Sequence, residues 1–176
     1  MDPTKIILDS GNWKDFKAKL SKLEPKEKGD CFELLTKAFL ETDPRYTTKL
    51  QYVWHQSKVP TKTRKKLNLP AQDEGIDLVA KSREGEYWAI QCKYKTDEDS
   101  SLTRRELSTF TDLTFNICKG FAVALACTTA DRFSAKLKMH GERISYIAGD
   151  TWRALDETAF TRIHKHLRGV KVPKPK

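Results

Sequence analysis

The chain has 176 residues, with 33 Lys and Arg against 24 Asp and Glu and a formal net charge of +9. That length suits one domain, and 38% hydrophobic with 10% aromatic residues excludes a chain disordered throughout. The longest apolar run, residues 121–127, is too short to cross a bilayer, and the first residues, MDPTKIILDSGNW, lack the extended apolar stretch of a signal peptide. Four cysteines without a CxxC give neither a disulfide framework nor a zinc site, so the chain reads as cytosolic and reduced. The positive charge favours a polyanionic partner without separating DNA from RNA or a membrane surface.

Trp13, Phe16, Leu20 and Leu23 recur at helical spacing and predict a short amphipathic helix, broken by Pro25 and Gly29. Phe32, Leu35 and Phe39 predict a second helix over 30–40, closed by Asp43-Pro44. Residues 50–54 read as a strand and the basic stretch 58–66 (KVPTKTRKK) as a loop. Residues 75–80 (GIDLVA) and 86–93 (EYWAIQCK) read as two strands of a hairpin joined through 82–85. A helix with Leu107, Phe110, Leu113 or Thr114, and Ile117 on its stripe follows. The run FAVALACT over 121–128 predicts a strand buried on both faces. Helix over 131–140, strand over 144–148 and helix over 151–167 complete the series. The order implies an α/β/α sandwich around a mixed sheet, an antiparallel hairpin followed by βαβ crossovers. No strand is followed by GxGxxG, which argues against a dinucleotide-binding fold.

Strand alternation carries the chemical inference. Ile76, Leu78 and Ala80 share one face of the first hairpin strand, and Trp88, Ile90 and Cys92 one face of the second. Pairing apolar face with apolar face puts Asp77 on the side of Gln91 and Lys93, because a one-residue slip would bury the acid and the lysine. A carboxylate and an amide oxygen suit a hard divalent cation such as Mg²⁺. The lysine can polarise an attacking water or stabilise charge on a phosphate. The plainer reading of Asp77 is a solvent-facing strand residue, although Asp is depleted in strands. Lys93 could instead guard an edge strand.

Asp77, thirteen intervening residues and Gln91-x-Lys93 resemble the D…(D/E/Q)xK signature of restriction-endonuclease-like nucleases. The Gln, with GID upstream and QCK downstream, is similar to the Mrr-like branch. The stretches KGDCFELLTKAFLETDPRY, QDEGIDLVA and YWAIQCKYK also resemble the N-terminal nuclease domain of helicase-bearing restriction enzymes, including the type ISP group. The resemblance covers residues 29–152. It implies a Mg²⁺-dependent DNA endonuclease, with Mn²⁺ as a substitute, in a bacterial or archaeal cytoplasm. Metal would be held by Asp77, Gln91, the backbone carbonyl of Cys92 and the helix-borne Glu33, with Lys93 as the catalytic lysine. Glu33 has a rival role as the far end of a capping box with Asp30. Asp73 and Glu74 could add outer acids or simply be solvated.

Under this resemblance Lys58, Lys62, Arg64, Lys65, Lys66, Arg104 and Arg105 become candidate phosphate contacts. The chain divides into a helical arm over 1–28, a nuclease domain over 29–168 and a tail or linker over 169–176. Covalently linked helicase or translocase domains are the expected partners besides DNA, and no membrane is. Two alternatives share the fold: an inactive DNA-binding module, and a junction-resolving or repair nuclease.

Overall fold

The computed structural model describes residues 1–72, 75–133 and 144–169. Asp73, Glu74, His140, most of the helix expected over 131–140 and the tail from 170 onward lie outside them. Three helices open the chain: α1 (Pro3–Leu8), α2 (Trp13–Leu20) and α3 (Pro25–Thr42). Asn12 caps α2, its side chain accepting from the Asp15 N–H at 2.9 Å. Gly29 lies inside the helix expected over 30–40, and that helix starts five residues early, at Pro25. Pro25 occupies the first helical turn, where its missing N–H costs nothing, behind a Glu24/Glu27 capping box. Asp30 and Glu33 are therefore both interior to α3, and the capping-box role for Glu33 falls away.

A short α4 (Pro44–Thr47) leads into β1 (Leu50–His55). The basic stretch expected as a loop is mostly helical, a 3₁₀ turn (Gln56–Lys58) and then α5 (Thr61–Leu67), closed by Asn68 in the left-handed conformation at φ +53°. The hairpin forms from β2 (Leu78–Ser82) and β3 (Tyr87–Lys93), so its first strand starts three residues later than GIDLVA suggests. Gly85, at φ +90°, makes the connection. Next come β4 (Ser101–Leu102), α6 (Arg104–Asp112) with a π-helical turn (Leu113–Ile117), and β5 (Phe121–Thr128). The wider π turn shifts the helical phase, which leaves Ile117 exposed although the stripe includes it. Residues 132–133, expected as helix, form β6 (Arg132–Phe133) and pair with β4. The chain continues with β7 (Ile144–Ile147), α7 (Gly149–Arg153) and α8 (Glu157–Leu167). The single helix expected over 151–167 is thus two, because Asp156 caps α8 by accepting from the Ala159 N–H.

Among the described residues the main sheet has the order β1-β2-β3-β5-β7, with β1, β2 and β3 antiparallel in turn and β5 and β7 parallel to β3. Helices cover both faces. Leu78, Ala80, Ile90, Leu125 and Cys127 pack against α3 and α8. Val79, Tyr87, Ala89, Ala124 and Ala126 pack with Leu67 of α5 and Leu107 and Phe110 of α6. Residues 1–28, expected as an appended arm, contribute Ile7, Trp13, Phe16 and Leu20 to the first of these cores. The four cysteines are free thiols. No helix among the described residues is long and apolar enough to cross a membrane.

Glu41 of α3 sits between Lys37 Nζ at 2.8 Å and His166 Nε2 at 3.3 Å, tying α3 to α8. Burial pushes its carboxyl up, but hydrogen bonds from His166 and Lys37 outweigh burial and hold it below the ordinary glutamate value. A carboxyl lowered in the folded state contributes stability above its unfolded pKa of about 4.3, and that contribution is lost as pH falls through the lower folded value. Glu41→Gln should therefore flatten the fall in thermal midpoint between roughly pH 5 and pH 3. Melts of both proteins across that range check it; parallel curves would refute it.

Candidate active site

Extending the β2–β3 register by one residue beyond the Leu78–Ile90 pair sets Asp77 opposite Gln91. Asp77 precedes β2, and its backbone is held from both sides. Its N–H donates to the Ile90 carbonyl and its carbonyl accepts from the Gln56 N–H, each at 2.9 Å. Its carboxylate Oδ2 accepts from the Cys92 N–H at 2.7 Å, so the side chain closes the ladder where the strand ends. Because β2 begins only at Leu78, the alternation does not reach back to Ile76. Ile76 packs in the core beside Val79, on the opposite side from Leu78, which corrects its expected face.

The sheet face that carries Gln91 is apolar over most of its length, not polar as alternation suggests. Val79 and Ala89, on that face, are fully buried and Gln91 is 7% exposed, so the face is the inner side of the second core and not an open polar surface. Towards one end of that face stand Asp77, just before β2, and Gln91 and Lys93, the fifth and last residues of β3. Lys93 is half-buried at the last position of β3 and pairs with Thr128.

Glu33 reaches this end from α3. Its Oε1 lies 2.9 Å from Nδ1 of His55, the last residue of β1, which pairs with Leu78. Glu33 and His55 line an open cleft of about 300 Å³ together with Pro3, Thr4, Asp30 and Leu34. The Cys92 thiol is pushed well above its ordinary pKa by burial first, then by Cys127, Asp77 and Glu33. The two acids thus act on the same buried sulfur, Asp77 from the hairpin and Glu33 from α3. No sequence motif links His55 to Glu33, since the contact joins residues 22 positions apart.

The loop before Asp77 is clamped. Gln56 Nε2 donates to the carbonyls of Pro70 at 3.0 Å and Gln72 at 3.3 Å. Arg64, a candidate phosphate contact, turns inward instead and donates to the carbonyls of Gln56 and Pro70. Gly75, at φ +136°, lets the loop pass close to α6, because a Cβ there would meet Thr109 Cγ2 at 3.0 Å. Lys58, Lys62, Lys65 and Lys66 are exposed. Arg104 and Arg105 are exposed in the first turn of α6, which Thr103 and Glu106 cap. Lys95, just past β3, grips Glu106 at 2.8 Å and fixes that helix start near Lys93.

Among the described residues no three His, Cys, Asp or Glu side chains gather as a metal-binding cluster. The donors at the strand ends are an Asp carboxylate, a Gln amide and backbone carbonyls. That oxygen set fits a hard cation that keeps several waters better than it fits zinc.

A mixed sheet with an antiparallel hairpin, covered by helices on both faces and carrying polar groups where the hairpin strands end, is the fold of restriction endonucleases. The ATP-dependent type ISP restriction-modification enzyme LlaBIII, solved bound to DNA, superposes with a TM-score of 0.61 at 24% identity over 83% of this chain. The chain spans 9% of that enzyme's length. The solved protein AF1548, of unknown function, has a TM-score of 0.47 at 17% identity, covering 73% of this chain and 64% of its own. MspJI restriction endonuclease, in complex with a 27-mer oligonucleotide, has a TM-score of 0.46 at 16% identity, covering 88% of this chain and 33% of its own. No curated protein matches significantly. Residues 41–147 match the family Mrr_cat_2, restriction endonuclease, and the chain belongs to that family.

Proposed function

We propose that this domain hydrolyses phosphodiester bonds of DNA with Mg²⁺, as the nuclease module of a restriction-type enzyme that carries an ATP-driven motor. The observation that carries the reading is the Asp77–Gln91 pair at the hairpin end, with Lys93 two residues beyond, inside a restriction endonuclease family match. Asp77, Gln91 and the Cys92 carbonyl would hold the metal, with Glu33 beside them. When bound, Mg²⁺ supplies Lewis-acid polarisation of the phosphate and a more acidic water. The hydrogen bond from the Cys92 N–H holds the Asp77 carboxylate in one orientation. Gln91 contributes an amide oxygen without adding negative charge, so the approach of phosphate meets less repulsion than it would with a carboxylate at that position. The Lys93 ammonium can orient the attacking water and stabilise charge on the phosphate oxygens.

The test is plasmid nicking with Mg²⁺, Mn²⁺ or EDTA. Cleavage in EDTA, or none with either metal, would overturn the reading. Comparing the isolated domain with its full natural reading frame, with and without ATP, tests the motor. DNA affinity should also fall steeply with salt, because exposed Lys58, Lys62, Lys65 and Lys66 release counterions when they meet phosphates. Replacing these four with Gln is expected to reduce the slope of log affinity against log salt by about 3–4 on duplex. An unchanged slope would leave α5 and its flank as a solvated surface. Arg64 is kept out of the set because it holds the Asp77 loop.

A further inference from the structure

Tyr52 and Trp54 project from the same face of β1, stacked with ring centroids 5.3 Å apart and planes 16° from parallel. Trp54 is half-buried against the second core, whereas Tyr52 is 49% exposed, one of few large apolar side chains so placed among the described residues. The register continues the feature sideways, with Tyr52 opposite Lys81 and Lys81 opposite Tyr87. Two ammonium groups hang over that last ring, Lys66 Nζ at 5.3 Å and Lys81 Nζ at 5.8 Å from its centroid. A solvent-exposed ring backed by a second ring thus stands beside Lys81, and Lys81 and Lys66 meet over Tyr87 one strand further on, so the feature crosses three strands.

We infer that this patch binds single-stranded DNA, with an unpaired base stacked on Tyr52 and the adjoining phosphates on Lys66 and Lys81. The chemistry selects this occupant. An aromatic face accepts a base face, and in a duplex the base faces are covered by neighbouring pairs. The two ammonium groups and the chain's net charge of +9 complement a phosphate backbone. The patch lies on the sheet face of the Asp77–Gln91 row. Trp54 and Tyr52 are two and four residues from that row, roughly 7 and 14 Å at the rise of a strand. It is separate from the strand-end polar groups. That the nucleic acid is DNA rests on the nuclease reading.

Short oligo(dT) and a duplex of equal length are titrated into the full chain while tryptophan emission is followed. The single strand should quench emission, and Tyr52→Ala should weaken its binding about tenfold or more, the scale of losing a base–aromatic stack. Tyr52→Phe should restore binding, because it keeps the ring. Tyr52→Leu, bulky and apolar but without a π-face, should bind as weakly as alanine, which separates stacking from any effect on folding. Lys81→Gln should lower the salt slope for the single strand by about 0.7. Equal binding of oligo(dT) by wild type and Tyr52→Ala overturns the inference, as does an equal loss on single strand and duplex. Either result would assign the patch to a protein surface or to plain structure. Metal-dependent plasmid nicking run on the same preparation reports on the nuclease reading independently.

Discussion

Asp77→Asn is expected to lower the rate of plasmid nicking by roughly 10³-fold, about 4 kcal/mol of barrier. The asparagine retains an oxygen for the Cys92 N–H, which Asp77 Oδ2 meets at 2.7 Å, so the hairpin end should keep its geometry while losing the charge. Stability should therefore change by less than about 1 kcal/mol. Asp77→Ala would be a poorer probe. It leaves the Cys92 N–H without its acceptor in a partly buried position, a cost of about 1–3 kcal/mol, and any loss of cleavage would mix chemistry with folding. Lys93→Ala should reduce nicking by about 10²–10³-fold. The two variants separate in calorimetric titration with Mn²⁺, where Asp77→Asn should lose binding and Lys93→Ala should retain it. Retained nicking in either variant would contradict the roles proposed for these residues.

The largest expected loss of stability is at Trp152. Its indole is fully buried, 5.0 Å from the Phe32 ring and 5.1 Å from that of Phe39, both in edge-on contacts, and its Nε1 donates to the Thr128 carbonyl at 3.0 Å. It thereby joins α7 to α3 and to the end of β5. Trp152→Ala should cost about 3–5 kcal/mol, because the cavity it leaves is walled by rings that cannot close over it. A loss of that size lowers the thermal midpoint of a domain this long by about 6–20 °C. Urea denaturation should show a lower midpoint with an unchanged slope. A cost below about 1 kcal/mol would mean that the α7 end of the core closes over the gap.

Local pattern by itself determined the five strands of the main sheet to within a few residues and the sandwich class, and it put Asp77 opposite Gln91. FAVALACT reads as a strand buried on both faces because a run of apolar or small residues without a polar alternate has no solvent side to present, and residues 124–128 of β5 are buried, while Ala122 near its start is exposed. The D…QxK spacing was legible because both partners lie on one hairpin, where register follows from a short turn. What failed in the sequence reading failed where a neighbour distant in the chain decides. The start of α3 is the exception, since Pro25 follows the end of α2 and also begins α3 behind the local Glu24/Glu27 box. The 58–66 stretch reads as a solvated loop until Leu67 finds the second core and Arg64 finds the carbonyls of Gln56 and Pro70, which stabilises α5. Alternation assigned Gln91 a polar face, but period-two patterning cannot distinguish solvent from a helix layer, and α6 covers that side. The Glu33–His55 contact joins a helix to a strand end, so only tertiary packing could bring it together. Composition and local spacing encode which groups are present and on which element. The distances between elements arise from side-chain packing across the layers, a long-range property that no local window contains.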